Sequence, residues 1–440
     1  MNREMATTRI DPSRENSFTP TVPTSVEETG LGLGFLADLA LKTMYLAGDI
    51  LGYELADLMC LPHPGVVEEV IEDLKWEQFC EVKGTGVPGS SAGLGRPVYR
   101  YSITDKGRAT AREAMDRSQY AGPAPVPLNQ YIDAVGKQTF RTMRARRPGL
   151  ERALSHLVVD DETKAHLGAA VNSHRSIFLF GPPGNGKTVI SESIGNLVLE
   201  GAIYIPYAVE TGNEVIKTYD AVNHVRIRDE AERANGRDRR WIRTCRPVIT
   251  VGGELTLHEL DLIYERNSRF YEAPVQMKAN GGMLLVDDFG RQQARPRDLL
   301  NRWIVPLEKR VDFLTMHMGR KIEIPFDVLI VFATNLAPTD LVDEAFLRRI
   351  RHKIKIDDPT WDEYREIFRR ACREGGVQYS ESGLAYLIKE HYIKHDRPKR
   401  RCHPRDLIAQ LRDIATYLEI TPELNKDLID QACHTYFVDL

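Results

Sequence analysis

Apolar and polar positions divide the chain into stretches of different period. Residues 1–30 are rich in Thr, Pro, Ser and Glu without periodicity, the pattern of a flexible tail. From Leu31 apolar residues recur at helical spacing, predicting helices over 34–48, 52–60 and 64–77. FCEVKG and PVYRYSI then read as two short strands around a Gly/Ser-rich loop, with a further helix from about Thr104. The stretch 121–130, AGPAPVPLNQ, reads as a Pro-rich linker, so a boundary is expected within 121–149. Beyond it come short, uniformly apolar runs, Ile177–Phe180, Met283–Val286 and Val328–Ala333, which predict buried strands. After Asp357 the chain reads as all-helical. Thr360 with Glu363 makes a capping-box start, and further helices are expected at about 380–392, 404–418 and 422–436, the last opened by Thr421-Pro422. The units are thus a tail to residue 30, a small domain over 31–120, a linker over 121–149, an α/β core over 150–357 and a helical region over 358–440.

Composition narrows the class. With 42% hydrophobic and 28% charged residues among 440, the chain is ordinary globular material of two or three domains. A net charge of −4 provides no overall field for nucleic acid. Cys60, Cys80, Cys245, Cys372, Cys402 and Cys433 form no C-x-x-C pair and suit neither a zinc site nor a disulfide framework, so reduced thiols and a cytoplasmic location are expected. The polar start predicts no signal peptide, and no run of 18 apolar residues predicts a membrane span.

The chemistry concentrates after Ile177–Phe180. Gly181, Pro182, Pro183, Gly184, Asn185, Gly186, Lys187 and Thr188 satisfy G-x-x-x-x-G-K-[ST], and a helical segment follows from Val189. Such glycines let backbone N–H groups curl around phosphate oxygens, and the helix N-terminus adds a positive dipole. Lys187 is placed to reach the β- and γ-phosphates of a nucleoside triphosphate, and Thr188 to ligate Mg2+. A second apolar run ends in Asp287-Asp288, and a third ends in Thr334-Asn335. Asn425-Lys426-Asp427-Leu428 does not satisfy the guanine motif N-K-x-D, and neither a kinase signature set nor a serine-hydrolase elbow is present.

In this order the motifs over residues 150–440 resemble those of AAA+ ATPases. The resemblance implies a P-loop α/β core with a parallel sheet flanked by helices and a C-terminal helical lid. It implies ATP and Mg2+ as cofactors. Asp287 would be the Walker B acid that holds the metal, Asp288 the acid that orients water where most of the family has Glu, and Asn335 the sensor 1 residue on a strand between Walker A and Walker B. DEAFLRRIRHKIKI, residues 343–356, resembles the segment that supplies an arginine finger to a neighbouring subunit. Arg348 and Arg349 are candidates, with Arg351 in reserve. Arg405, in HPRDLIAQL, matches the sensor 2 arginine that touches ATP from the lid. A homo-oligomeric ring, expected to be hexameric, follows from the shared site. RVDFLTMHMGRKIEIPFDVLIVFATN places a β-hairpin before sensor 1, as in the group that includes MoxR-like ATPases and enhancer-binding activators. In that group a loop inside the second helix reaches the pore, which maps here near residues 252–262.

Residues 34–116 resemble a winged-helix domain. That fold suggests DNA binding, but the candidate recognition helix carries Glu68, Glu69, Glu72 and Asp73 with Lys75 as its one base, which would repel phosphates. Docking of an unidentified protein partner is favoured over DNA, with Lys83, Arg96 and Arg100 in the wing keeping DNA open. Arg141, Arg144, Arg146 and Arg147 read as a solvated helix face. The arginine-rich stretch Arg226–Arg246 reads equally as a partner-binding or nucleic-acid-binding insertion and as a solvated, internally paired loop.

Overall fold

The computed structural model describes residues 18–86, 98–198, 200–227, 236–337 and 348–437. The N-terminal unit starts with the short helix α1 (Val26–Thr29), followed by α2 (Leu33–Ala47), β1 (Ile50–Leu51), α3 (Gly52–Met59) and α4 (Glu68–Trp76). Strands β2 (Cys80–Gly86) and β3 (Val98–Ile103) then pair antiparallel, with β1 on the far edge of β3, and α5 (Asp105–Arg117) closes the unit. Residues 64–77 were expected as one helix. Pro64 and Gly65 are non-helical, because Gly65 turns at φ +90° to let the backbone of Thr24 approach, so the regular helix begins at Glu68.

The Pro-rich stretch is built into the fold instead of acting as a linker. It forms β4 (Val126–Pro127) and α6 (Leu128–Lys137), with Val126, Tyr131 and Ala134 buried. The expected tail is also partly ordered. Phe18 packs edge-on against Trp241 (5.5 Å between centroids), and Thr29 is fully buried; residues 1–17 lie outside the described residues. The arginines at 141–147 do not share a helix face: Arg141 pairs with buried Asp327 (2.9 Å) ahead of α7 (Arg147–Ala153), which precedes α8 (Asp161–Asn172).

The core sheet is five-stranded and wholly parallel, made of β5 (Ile177–Phe180), β10 (Val248–Val251), β13 (Met283–Val286), β16 (Leu329–Thr334) and β17 (His352–Lys355), in the spatial order β10-β13-β16-β5-β17. Its three inner strands β13, β16 and β5 read as unbroken apolar runs because both faces are covered, whereas the edge strands β10 and β17 carry exposed polar residues. Alternate residues serve opposite sides. Ile177, Leu179, Leu285 and Val331 pack beneath the helix layer of α7, α8 and α9 (Lys187–Val198), while Phe178, Leu284, Ile330 and Phe332 pack on Trp303 and Leu299 of α11 (Pro296–Lys309). Trp303 is fully buried and lies 5.7 Å from the Phe332 ring.

Between α9 and β13 the chain inserts β-structure around β10. Strands β6 (Ala202–Pro206) and β9 (Trp241–Cys245) form an antiparallel pair. Strands β7 (Ala208–Thr211), β8 (Glu214–Lys217), β11 (Ile263–Glu265) and β12 (Phe270–Glu272) build a mixed sheet that β4 joins at its edge. The hairpin β14 (Val311–Thr315) and β15 (Lys321–Pro325) stands directly before β16 as expected, and its Leu314, Ile322 and Ile324 share a core with α6 and the inserted sheet. Residues 252–262, mapped to a pore-reaching loop within a helix, are not flanked by long helices. They contain one 3-10 turn, bury Leu255 and Leu260, and are tied down where Gln276 and Arg302 donate to the Leu260 carbonyl (2.7 and 3.0 Å). The one helix between this stretch and β13 is the four-residue α10 (Val275–Lys278), which follows β11 and β12.

The arginine-rich stretch is largely structural where it is described; Arg228 and Arg233 lie outside the described residues. Arg240 is buried, clamps Asp238 through Nε and Nη2, and donates from Nη1 to the carbonyls of Thr29 (2.9 Å) and Pro125 (3.3 Å). Arg246 is buried on the carbonyl of Gly281 (2.5 Å). Arg239 pairs with Asp57 of α3 (2.7 Å). Together with Ala208 and Val215, which enter the N-terminal core, the Arg240 and Arg239 contacts join the first unit to the insertion.

The C-terminal region is helical: α12 (Trp361–Gly375), α13 (Glu381–Leu387) continued by a π-turn through Ile393, α14 (His403–Tyr417) and α15 (Lys426–Tyr436). The capping box of Thr360 and Glu363 forms as read. The last helix starts four residues later than expected, because Asn425 rather than Thr421 caps it. Tyr364, Tyr392 and His403 make a buried chain of hydrogen bonds (2.7 and 2.9 Å). Among the described residues no helix is long and apolar enough to cross a membrane.

Two outcomes follow. Arg240→Ala strands the Asp238 carboxylate in the interior and should cost about 3 kcal/mol by chemical denaturation; a loss near zero would show that the pair holds nothing together. Burial and the nearby Arg400 charge lower His403 from its ordinary 6.5 to about 4. The unfolded chain then takes up a proton that the folded one refuses. The stabilisation is full above pH 6.5 and is lost as pH falls toward 4. His403→Gln should flatten the pH dependence of stability across that window, and an unchanged slope would refute the assignment.

Candidate functional site

Parallel register brings the polar ends of three strands to one edge of the sheet. Phe180 pairs with Thr334, and Phe332 with Val286, so Gly181, Asn335 and Asp287 emerge side by side. In open parallel sheets this carboxyl edge is where ligands bind. The strand ending in Asn335 lies between the other two, as the sensor 1 assignment requires.

The loop itself is shaped by glycines with left-handed backbones: Gly181 at φ +139°, Gly184 at +79° and Gly186 at +81°. A Cβ at Gly181 would collide with the Ile356 carbonyl, and one at Gly184 would lie 2.6 Å from Cys402 Sγ. Gly186 has open space around it. Lys187 opens α9 and is 7% exposed, with Nζ donating to the carbonyls of Gly181 (3.0 Å) and Pro182 (2.9 Å) and to Asn335 Oδ1 (2.6 Å). Burial pushes its ammonium down from its ordinary value, while the Asp288 and Asp287 carboxylates pull it back up. Thr188 Oγ1 donates to both oxygens of Asp287 (3.0 and 2.9 Å). A hydroxyl and a carboxylate in contact, both hard oxygen donors, suit Mg2+. Asp288 stands in the left-handed region at φ +47°. Its N–H donates to Asp287 Oδ1 (3.0 Å), and its Oδ1 accepts from Asn335 Nδ2 (3.2 Å). Pro182, Pro183 and Val189 lie in the same loop and helix start.

The structure thus unites Lys187, Thr188, Asp287, Asp288 and Asn335. It does not place the arginines with them. Arg348 and Arg351 are exposed, and Arg349 pairs with Glu308 of α11 (2.6 Å); residues 343–347 of their segment lie outside the described residues. Arg405 is 75% exposed at its side chain and turns to its neighbour Asp406 (3.2 Å).

Three contributors were missed in the sequence. Gln292 Nε2 donates to the carbonyls of Asp287 (2.9 Å) and Asp288 (3.2 Å), holding the acidic turn from behind. Asp358 accepts from Asn185 Nδ2 (2.8 Å) and pairs with Arg400. The backbone of the helical region completes the contact, with Arg401 N on Asn185 Oδ1 (3.1 Å) and Cys402 N on the Gly184 carbonyl (2.9 Å). Polar residues in turns carry no period that marks them. The one signal the sequence carries for this contact is the density of bases in RPKRRCHPR.

Strand order and site together give the core the fold of an AAA+ P-loop domain, followed by a helical C-terminal region. Residues 360–435 match a family described as a domain of unknown function, DUF8689. Similar solved structures include the RuvB Holliday junction branch migration motor of Thermotoga maritima, 15% identical over 64% of this chain and 70% of that one, with a TM-score of 0.37. NtrX from Brucella abortus in complex with ADP is 16% identical over 73% of this chain and 64% of that one, with a TM-score of 0.39. No curated protein matches the chain. The description of the core therefore rests on its own geometry.

The glycine geometry is testable without nucleotide. Gly181→Ala must displace a backbone carbonyl and should destabilise by about 2 kcal/mol. Gly186→Ala, with space available, should cost only the left-handed backbone, about 1 kcal/mol. Thermal melts that reverse this ranking would refute the packing argument.

Proposed function

We propose that this chain is an ATP-binding and ATP-hydrolysing motor that works as a homo-oligomeric, hexameric ring in the cytoplasm and remodels a protein partner. One observation carries the catalytic part: Lys187, Thr188, Asp287 and Asn335, far apart in sequence, converge at the carboxyl edge of one parallel sheet. Lys187 would neutralise the β- and γ-phosphates, Asn335 and Asp288 would orient the attacking water, and Arg348 or Arg349 would reach a neighbouring subunit's γ-phosphate. Thr188 and Asp287 would hold Mg2+, which supplies charge neutralisation at the phosphates when bound. The hairpin β14–β15 directly before β16 supports the branch that includes MoxR-like ATPases.

The N-terminal unit, read as a winged helix, supports protein docking over DNA. The exposed face of α4 carries Glu68, Glu69 and Glu72. Its base Lys75 is paired with Glu72 (2.8 Å), and Lys83 of the wing with Asp49 (3.2 Å). Bases already neutralised by their own chain add little attraction for phosphates. The left-handed Asp288 favours a second reading, a slow ATP-dependent switch or scaffold.

Turnover measurements separate these readings. Lys187→Ala should abolish nucleotide binding, and Asp288→Asn should keep binding but lose turnover by roughly 100-fold or more. Subunits carrying Arg348→Ala with Arg349→Ala should regain activity when mixed with Lys187→Ala subunits, because each supplies what the other lacks. No recovery on mixing would refute the shared site, and wild-type turnover indifferent to Asp288→Asn would leave the switch. DNA affinity that falls steeply with salt would restore the DNA reading.

A further inference from the structure

The amino edge of the core sheet, opposite the phosphate loop, gathers arginines that the nucleotide reading leaves unused. We propose that Arg141, Arg144, Arg175 and Arg310 form a track there that holds the phosphate backbone of nucleic acid without reading its bases.

Three chain segments build the cluster. Arg141 and Arg144 come from the stretch before α7, Arg175 stands two residues before β5, and Arg310 caps the end of α11. Arg310 donates from Nη2 to the His174 carbonyl and from Nη1 to the Val328 carbonyl (3.4 Å), at the entries of β5 and β16. Arg144 Nη1 donates to the carbonyls of Arg141 (2.9 Å) and Met143 (3.0 Å) and lies 3.3 Å from His174 Nε2. The length of the extended strand between them puts Arg175 roughly 20 Å from Gly181, so the cluster is separate from the nucleotide site.

These cations are held in place without being neutralised. Asp327 is the carboxylate among them, and it pairs with Arg141. Its side chain is 3% exposed and also accepts from Thr139 Oγ1 (2.8 Å) and the Phe140 N–H (3.1 Å), so its charge is spent inward. Among the described residues, Arg144, Arg175 and Arg310 have no carboxylate partner. Backbone carbonyls fix two of these guanidinium groups but leave their charge in force. The groups act on one another. Burial, then the Arg141 and Arg175 charges, lowers Arg310 to about 10, with Asp327 opposing, so it stays cationic at neutral pH. Burial lowers His174 too, with the Arg144, Arg310 and Arg141 charges adding to it. A polyanion laid across the cluster would relieve this repulsion.

The chemistry favours phosphates. A guanidinium fork meets two phosphate oxygens at once, and a group positioned beforehand loses little freedom on binding. The apolar side chains interleaved with these arginines, Phe140, Leu150 and Ile177, are buried. A cationic surface without an apolar centre suits a phosphodiester chain better than an acidic protein, whose interface needs a packed core. In the N-terminal unit the bases Lys75 and Lys83 are paired with Glu72 and Asp49. Attraction for phosphates therefore falls on the core, and the track leaves the N-terminal unit to its protein partner.

The test is fluorescence anisotropy of a short labelled DNA duplex titrated with the full chain across a salt series. The wild type should bind at low salt, alike for duplexes of different sequence, with affinity that falls steeply as salt rises. Arg144→Ala combined with Arg175→Ala should weaken binding roughly tenfold or more and reduce the slope of log affinity against log salt by roughly two. Both side chains are exposed, so the melting temperature should not change. Arg144→Lys combined with Arg175→Lys should restore the slope, because the charge returns, and part of the affinity. No binding at low salt overturns the proposal. Affinity that survives the double alanine variant but is lost with Lys83→Ala plus Arg100→Ala also overturns it and gives DNA to the wing. Competition by polyglutamate as effective as that by unlabelled DNA overturns it in favour of an acidic protein. None of these outcomes bears on the nucleotide site.

Discussion

An ammonium group cannot be buried in a protein without partners that replace water. Lys187 is in that position, and much of the site is arranged by its needs. Two of its partners are carbonyls of its own loop, which can face inward only because Gly181 adopts a backbone that other residues resist. The third is the side-chain oxygen of Asn335, which arrives because β16 is in parallel register beside β5. Asn335 then spends its amide on Asp288, whose left-handed backbone is fixed by the Asp287 carboxylate. That carboxylate also meets Thr188, one residue beyond the lysine. The ring of contacts closes on itself, so every polar side chain in it already has a partner.

Legibility in the sequence followed the range of the forces involved. The three core strands were readable because burial on both faces makes them continuously apolar, and the acids and Asn335 were readable because they end those strands. The capping box at Thr360 was readable because its two bonds are local. The insertion was not. Its strands are short, mix parallel and antiparallel pairing, and draw their core from α6 and the hairpin, which are distant in the sequence. Composition misled where distant burial decided the outcome. Proline spacing at 121–130 suggested a linker, yet Val126 and Tyr131 are inside. Arg240 looked like one base in a charged run, yet it is buried, with Asp238 and the carbonyls of Thr29 and Pro125 around it. Gln292 and Asp358 act through a few hydrogen bonds to turns, an arrangement that leaves no trace in the pattern of the chain.

The same long-range contacts change the character of the helical region. Segment 400–402 lies on the phosphate loop through two backbone hydrogen bonds and one shared carboxylate, while α14 itself carries the hydrophobic face that packs with α12 and α15. A displacement of the loop therefore moves the start of a helix whose far end is embedded in a separate core. A packed interior shifts as a body before it deforms, so a movement of that loop would pass to the bundle as a tilt.

The burial of Arg240 also has a mechanical meaning. A domain on a flexible tether transmits tension only when the tether is taut, and it transmits no torque. Here the first unit is clamped to the insertion by a buried guanidinium, by Arg239 on Asp57 and by shared apolar packing. The insertion is continuous with β10, the edge strand next to the one that ends in Asp287. The N-terminal unit is thus fastened to the rim of the core sheet through packed contacts of the insertion, not hung on a linker. A torque applied to that unit would reach the strand edge beside Asp287 through side chains as well as through the chain itself.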